Sequence, residues 1–168
     1  FYIKNKKTIP VYADRATSKY LLNTFSYCFK KTFNEYPPIL NLNKIKKNFY
    51  FSDGKKKILI NSIEVKHGKV NSICYRINNK LAYISDVSEI KKKDFKYFKN
   101  LKYLIIDCLW YKKHPSHLNY EEALNLIKIF KPKKAILTNL HSELDYNVLK
   151  KKLPRSIIPA YDGLTIYL

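Results

Sequence analysis

A layered α/β domain, with sheet packed against helices, is what this sequence predicts. Three observations predict it. The 168 residues suffice for a real core, and 46% of them are hydrophobic and 15% aromatic, a globular composition. The first half is rich in hairpin signals. The second half alternates apolar strand-like runs with helix-like stretches, and no linker separates the halves.

"KKTIPVYAD" reads as a short strand ending near Asp14. "ADRATSKYLLNTF" follows as a helix, with Leu21, Leu22 and Phe25 on one face and Asp14 or Thr17 as its cap. "NEYPPIL" is a loop marked by its prolines. "NFYFSDGKKKILINSIEVKHG" predicts a hairpin turning at Asp53-Gly54. "NSICYRINNKLAYISD" predicts a second one, turning at Asn78-Asn79, because asparagine tolerates positive φ. "SEIKKKDFKYFKN" suits a helix with Ile90, Phe95 and Phe98 inward. "LKYLIIDCLW" and "KKAILTNLH" are continuous apolar runs of the buried-strand type. Between them, "NYEEALNLIKIF" places Ala123, Leu124, Ile127 and Phe130 on one helical stripe, with Pro132 to stop it. "LDYNVLKKKLP" is a short helix, and "AYDGLTIYL" closes the chain as an edge strand.

The polar residues follow this pattern. Asp86 and Asp107 each end an apolar run, and the four histidines lie at strand ends or just beyond: His67, His114, His117 and His141. Strand ends of one sheet converge on one rim, where α/β folds build their sites. Imidazole with carboxylate is a ligand set for zinc, manganese or iron. Each residue also has a plainer reading. His67 before Gly68 fits a turn, and His114 and His141 fit exposed loops. "DVSE" fits a capping box built on Asp86 or Ser88, and Asp107 fits a carboxylate that accepts from backbone amides.

Composition narrows the classes. No apolar run reaches the ~18–20 residues of a membrane span. Cys28, Cys74 and Cys108 are widely spaced in apolar surroundings, so they read as reduced, buried thiols of a cytoplasmic protein and not as a zinc cluster. The net charge of +20 suits a polyanion, although the basic residues are spread along the chain. There is no Met, and the chain starts at Phe1.

In order, "KHG", "LAYISDVS", "LIIDCLWYKKHPSHLNYEEAL", "AILTNLHSELDY" and "PAYDGLTIYL" resemble the metallo-β-lactamase fold hydrolases. Within them they are similar to the subgroup containing the phosphoribosyl cyclic phosphodiesterase of phosphonate breakdown. "IPVYAD" and "YPPIL" resemble stretches of the same subgroup, so the likeness covers essentially the whole chain. The resemblance implies an αββα sandwich with two divalent metal ions, zinc or manganese, on the sheet rim. It implies that His67 binds one metal, that Asp86 bridges the pair and that His141 binds the second. It implies that His117 lies near a scissile phosphate as proton donor or phosphate contact. Many relatives carry a histidine where this chain has Asn139.

The family's HxHxDH motif is absent from the 168 residues and would precede "IPVYAD". The expectation is therefore that residues 1–168 are the C-terminal portion of a single metallo-β-lactamase-like domain. That portion is expected to be inactive alone, from a parent that hydrolyses a small phosphodiester with metal-activated water. A homo-oligomer is left open. Two other readings draw on the charge. One is a tRNA-processing-type nuclease. The other is a basic nucleic-acid-binding module using the aromatics that interleave with lysines in "NFYFSDGKKK" and "KDFKYFKN".

Overall fold

A computed structural model describes residues 2–31, 36–52, 54 and 56–168. Its contacts divide into two units, Phe1–Lys46 and Lys47–Leu168.

The first unit begins with α1 (Tyr2–Asn5), followed by a β-α-β crossover. β1 (Ile9–Ala13) pairs in parallel with β2 (Leu40–Lys44), and α2 (Arg15–Thr24) and α3 (Ser26–Phe29) connect them. Asp14 caps α2: its carboxylate accepts from the backbone N–H of Ala16 and Thr17 and from the Thr17 hydroxyl. The Thr17 hydroxyl bond, backed by the backbone ones, holds the Asp14 carboxyl below its ordinary pKa. The loop expected at "NEYPPIL" is found at residues 36–39, its Asn34 and Glu35 lie outside the described residues, and β2 follows where "LNLNK" alternates.

The second unit is a seven-stranded sheet in sequence order, from β3 (Asn48–Ser52) and β4 (Lys57–His67) through β5 (Val70–Ile77) and β6 (Leu81–Ile84) to β7 (Tyr103–Asp107), β8 (Lys134–Thr138) and β9 (Ile157–Pro159). The β3–β4 and β5–β6 hairpins match expectation. Asn78 and Asn79 turn the latter with φ of 47° and 56°. The expected turn residue Asp53 lies outside the described residues. From β6 to β9 the pairing is parallel. α4 (Tyr120–Phe130) and α5 (Tyr146–Lys152) supply Ala123, Ile127, Phe130 and Leu149 to a core shared with Val65, Ile84, Leu104, Ile106 and Leu137. A capping box starts α4: Asn119 accepts from the Glu122 N–H, and Glu122 accepts from the Asn119 N–H.

Two elements differ from expectation. Lys92–Phe98 is a 3-10 helix and not an α-helix. Its three-residue period stacks Phe95 and Phe98 on one side. Both rings pack on Phe130, at centroid distances of 5.1 and 5.3 Å. The last strand is "IIP" at β9, one step earlier than "AYDGLTIYL". There the chain turns instead, with Gly163 at φ 88° and the Leu164 N–H donating to the Tyr161 carbonyl.

Burial raises the Cys74 thiol pKa well above its ordinary value and pushes Cys108 up to about 12, whereas Cys28 is half-buried. A thiol reagent at neutral pH should therefore modify one cysteine quickly in the folded protein and three after denaturation. Peptide mapping should find the fast label on Cys28. Rapid labelling of Cys74 or Cys108 in the folded state would contradict this packing. Separately, Asn119→Ala should cost about 1 kcal/mol of stability through loss of the α4 cap, read by denaturant unfolding.

Candidate metal centre

β4, β6, β7 and β8 run in the same direction, so their C-terminal ends share one edge of the sheet. That edge carries His67 as the last residue of β4, Asp86 just beyond β6, Asp107 as the last residue of β7 and Asn139 just beyond β8. The loop after β7 adds "HPSH".

His67 is fixed by that loop. Its Nδ1 donates to the Ser116 carbonyl at 2.8 Å, which leaves Nε2 for a ligand. The contact needs Gly68. A Cβ on it would lie 3.0 Å from the Ser116 Cβ and 3.3 Å from the Pro115 carbonyl oxygen, and its φ is +61°. The Ser88 hydroxyl accepts from the Gly68 N–H and pins the turn from the other side.

His117 is fixed by Asp107. Its Nδ1 donates to Oδ2 at 2.8 Å, so its Nε2 is likewise the nitrogen left over. Asp107 is fully buried and satisfied by three further donors. Oδ2 also accepts from the N–H of Val87 at 3.3 Å and of Leu118 at 3.4 Å, and Oδ1 accepts from Asn139 Nδ2 at 3.0 Å. Burial raises the Asp107 carboxyl pKa, and the bonds from His117, Asn139 and Val87 oppose the rise.

Ligand atoms of His67, Asp86 and His117 all lie within 4.8 Å of one another. The two imidazoles meet edge to face, with centroids 4.6 Å apart. Asp86 does not cap the helix that follows, since that 3-10 helix starts at Lys92 without a side-chain cap. Its carboxylate accepts only the Ser85 hydroxyl among the bonds described, and it is exposed. His117, expected at the phosphate, thus stands among the ligand atoms. His141, expected as the late ligand, stands outside that group. It is exposed, its Nδ1 accepts from the Glu143 N–H, and its ring lies 5.3 Å from Trp110. Asn139 is the residue after β8 that reaches the site, donating to the Ser85 carbonyl and to Asp107. The His114 ring lies 5.3 Å from that of His117 and accepts from the Ser116 N–H. The structural role of Asp107 is visible in the sequence only as a carboxylate that ends an apolar run.

The family model described as a beta-lactamase superfamily domain matches residues 3–139. This chain belongs to that family. The family expected from the sequence is thus the one found, and the α/β fold with its large sheet agrees. Solved structures extend this beta-lactamase superfamily fold over the whole chain. A diphosphatase from the PhnP family is 22% identical with a TM-score of 0.84, covering 100% of this chain and 62% of that one. The Zn(2+)-bound PqqB of Methylobacterium extorquens is 12% identical with a TM-score of 0.69, covering 99% and 67%. A curated relative, an octanoyltransferase of Porphyromonas gingivalis, is 28% identical over 163 residues. The chain spans 94% of its own length in that match but 32% of the relative, whose name describes the whole protein.

Removing the carboxylate of Asp107 should free the His117 ring and leave two backbone N–H groups without a partner. Asp107→Ala should weaken divalent-metal binding about 10–100-fold, with Asp107→Asn milder. Competition against a chromophoric chelator measures it. Wild-type affinity in Asp107→Ala would show that the buried carboxylate does not orient a ligand.

Proposed function

We propose that this beta-lactamase superfamily domain carries part of the metal centre of a hydrolase that cleaves phosphodiesters. The observation that carries the reading is the trio of His67, Asp86 and His117, with both Nδ1 atoms already engaged so that two Nε2 atoms and one carboxylate are available together. Two imidazoles and a carboxylate fit zinc or manganese. When bound, such an ion supplies Lewis acidity and lowers the pKa of coordinated water.

The chain's own residues do the positioning. The Ser116 carbonyl sets the tautomer of His67, and Asp107 sets that of His117. The Ser85 hydroxyl donates to Asp86 Oδ2 and orients that carboxylate. His67, Asp86 and His117 would supply three donors, fewer than the two-metal site implied by the resemblance would use. Activity is therefore assigned to a complete domain that also has the HxHxDH segment, and the 168 residues alone are expected to be inactive. The phosphodiester preference is supported by the PhnP-family likeness. Three free cysteines support a reducing, cytoplasmic setting.

A second role for His117 is favoured by its hydrogen bond to Asp107. An imidazolium held by a carboxylate can protonate a leaving oxygen. Metal content separates the roles. As a ligand, His117→Ala should lose metal together with turnover, as His67→Ala and Asp86→Ala do. As proton donor, it should keep metal and lose turnover by about 10²–10⁴-fold.

The deciding experiment loads the complete protein with zinc or manganese and assays an activated phosphodiester against an octanoyl ester. Phosphodiester hydrolysis lost in His67→Ala and Asp86→Ala is the expected result. Turnover of the octanoyl ester alone, or metal content unchanged in both variants, would sink the proposal.

A further inference from the structure

One row across the seven-stranded sheet is polar on a face that is otherwise apolar. Asn48, Asn61 and Arg76 stand opposite one another on β3, β4 and β5, and Ala82 on β6 continues the row. Asn61 shares its sheet face with Ile63 and Val65, and Arg76 shares it with Cys74, all of them core residues. Two buried atoms in this row have no hydrogen-bond partner, Asn61 Oδ1 and Arg76 Nε. We propose that they form a site for a small oxyanion that keeps a hydroxyl group at neutral pH, of the hydrogenphosphate type.

The two orphaned groups are an acceptor and a donor on facing residues. Asn61 Nδ2 donates to Asn48 Oδ1 at 2.8 Å, which leaves Oδ1 for the β5 side, where Arg76 stands. Turning both amides about would not help, because it would set the Asn61 NH₂ against the guanidinium, donor against donor. Arg76 is half-buried, and among the described residues no carboxylate pairs with it. Burial lowers its pKa, and the Tyr97 hydroxyl opposes the fall. A guanidinium does not give up its proton, so a desolvated one calls for an anion. The surroundings add charge of the same sign. Lys47 Nζ and Lys96 Nζ lie 5.8 and 5.4 Å from the centre of the Tyr97 ring, and neither is ion-paired among the described residues.

The donor pattern selects within the anions. The guanidinium donates to oxyanion oxygens in a fixed fork. Asn61 Oδ1 has to receive a hydrogen from the same ligand. Sulfate, a carboxylate or a phosphodiester carries no O–H at neutral pH and would set acceptor against acceptor. Hydrogenphosphate and hydrogencarbonate offer both an anionic edge and an O–H. A nucleic-acid strand is therefore not the ligand chosen, although "KDFKYFKN" lies close by; Phe95 and Phe98 of that stretch pack on Phe130. The inference rests on buried atoms and not on exposed area, and it is independent of the metal centre, with which it shares no residue.

The test is thermal unfolding of the full chain with a chelator present, so that the metal centre takes no anion. Phosphate, hydrogencarbonate and sulfate are titrated separately at constant ionic strength. Phosphate should raise Tm saturably, by about 3–6 °C at about ten times its Kd, and sulfate should not. Whether hydrogencarbonate does the same tells which of the two oxyanions the site takes. Arg76→Gln should abolish the phosphate shift. Asn61→Leu should abolish the preference for phosphate over sulfate, and it spares the fold because the Asn48 amide it releases is exposed. Lys128→Ala, at an exposed position on α4, removes a charge elsewhere and should leave the shift unchanged. An equal shift with sulfate, or the same phosphate shift in Arg76→Gln and Asn61→Leu, would reduce the effect to general charge and overturn the proposal. No saturable shift with any of the three anions would overturn it too, and would assign the two groups to a bridging water.

Discussion

Asp107 is a carboxylate without access to water, and four donors meet on it. A buried charge without partners costs several kcal/mol, so the site around it is strongly constrained. The donors come from three separate segments. Val87 belongs to the loop after β6, His117 and Leu118 to the loop after β7, and Asn139 to the loop after β8. Satisfying one carboxylate therefore fixes the relative position of three loops. Asp86, adjacent to Val87, is placed by the same constraint. The parallel strands bring the segments to one edge; Asp107 holds them in register there.

A second constraint completes the trio from the other side. His67 comes from the antiparallel part of the sheet, at the end of the long strand β4. Its Nδ1 bond to the Ser116 carbonyl docks the β4–β5 turn against the "HPSH" loop, and the approach is close enough to require glycine at position 68. Ser116 precedes His117. One loop is thus clamped by Asp107 on one side and by His67 on the other. Both histidines enter the site with the same nitrogen engaged, an arrangement that commonly orients metal-ligating imidazoles.

The sequence makes the fold legible where periodicity is strong. "LKYLIIDCLW" and "KKAILTNLH" are apolar in their middles, at Leu104–Ile106 and Ala135–Leu137, because β7 and β8 lie in the parallel part of the sheet, flanked by strands on both sides. Asn78-Asn79 announces its turn through tolerance of positive φ. "SEIKKKDFKYFKN" misleads because Phe95 and Phe98 stand at i and i+3, a spacing that α and 3-10 helices both allow; tertiary packing on Phe130 decides between them. At the site, strand-end placement points to the rim on which His67 and Asp86 lie close together. It does not distinguish His117 from His141, since both lie in loops beyond strands. What separates them is the hydrogen bond from His117 to Asp107, a contact across ten residues of irregular chain that no local pattern encodes.

Asn139 shows how the Asp107 network shapes the rest of the rim. It has φ of 61°, a left-handed conformation that asparagine adopts more readily than most residues. Its amide nitrogen carries two hydrogens, and both are used: one goes to Asp107 Oδ1 and the other to the Ser85 carbonyl. The second bond links β8 directly to the residue before Asp86. A neutral imidazole has one N–H, so a histidine here could satisfy the carboxylate or the carbonyl but not both. The side chain after β8 thus belongs to the scaffold that positions Asp86 and His117. His141, two residues on, has its ring 5.3 Å from that of Trp110 and accepts the Glu143 N–H on Nδ1. The Asp107 and Ser116 hydrogen bonds thus bring ligand atoms of His67, Asp86 and His117 within 4.8 Å of one another.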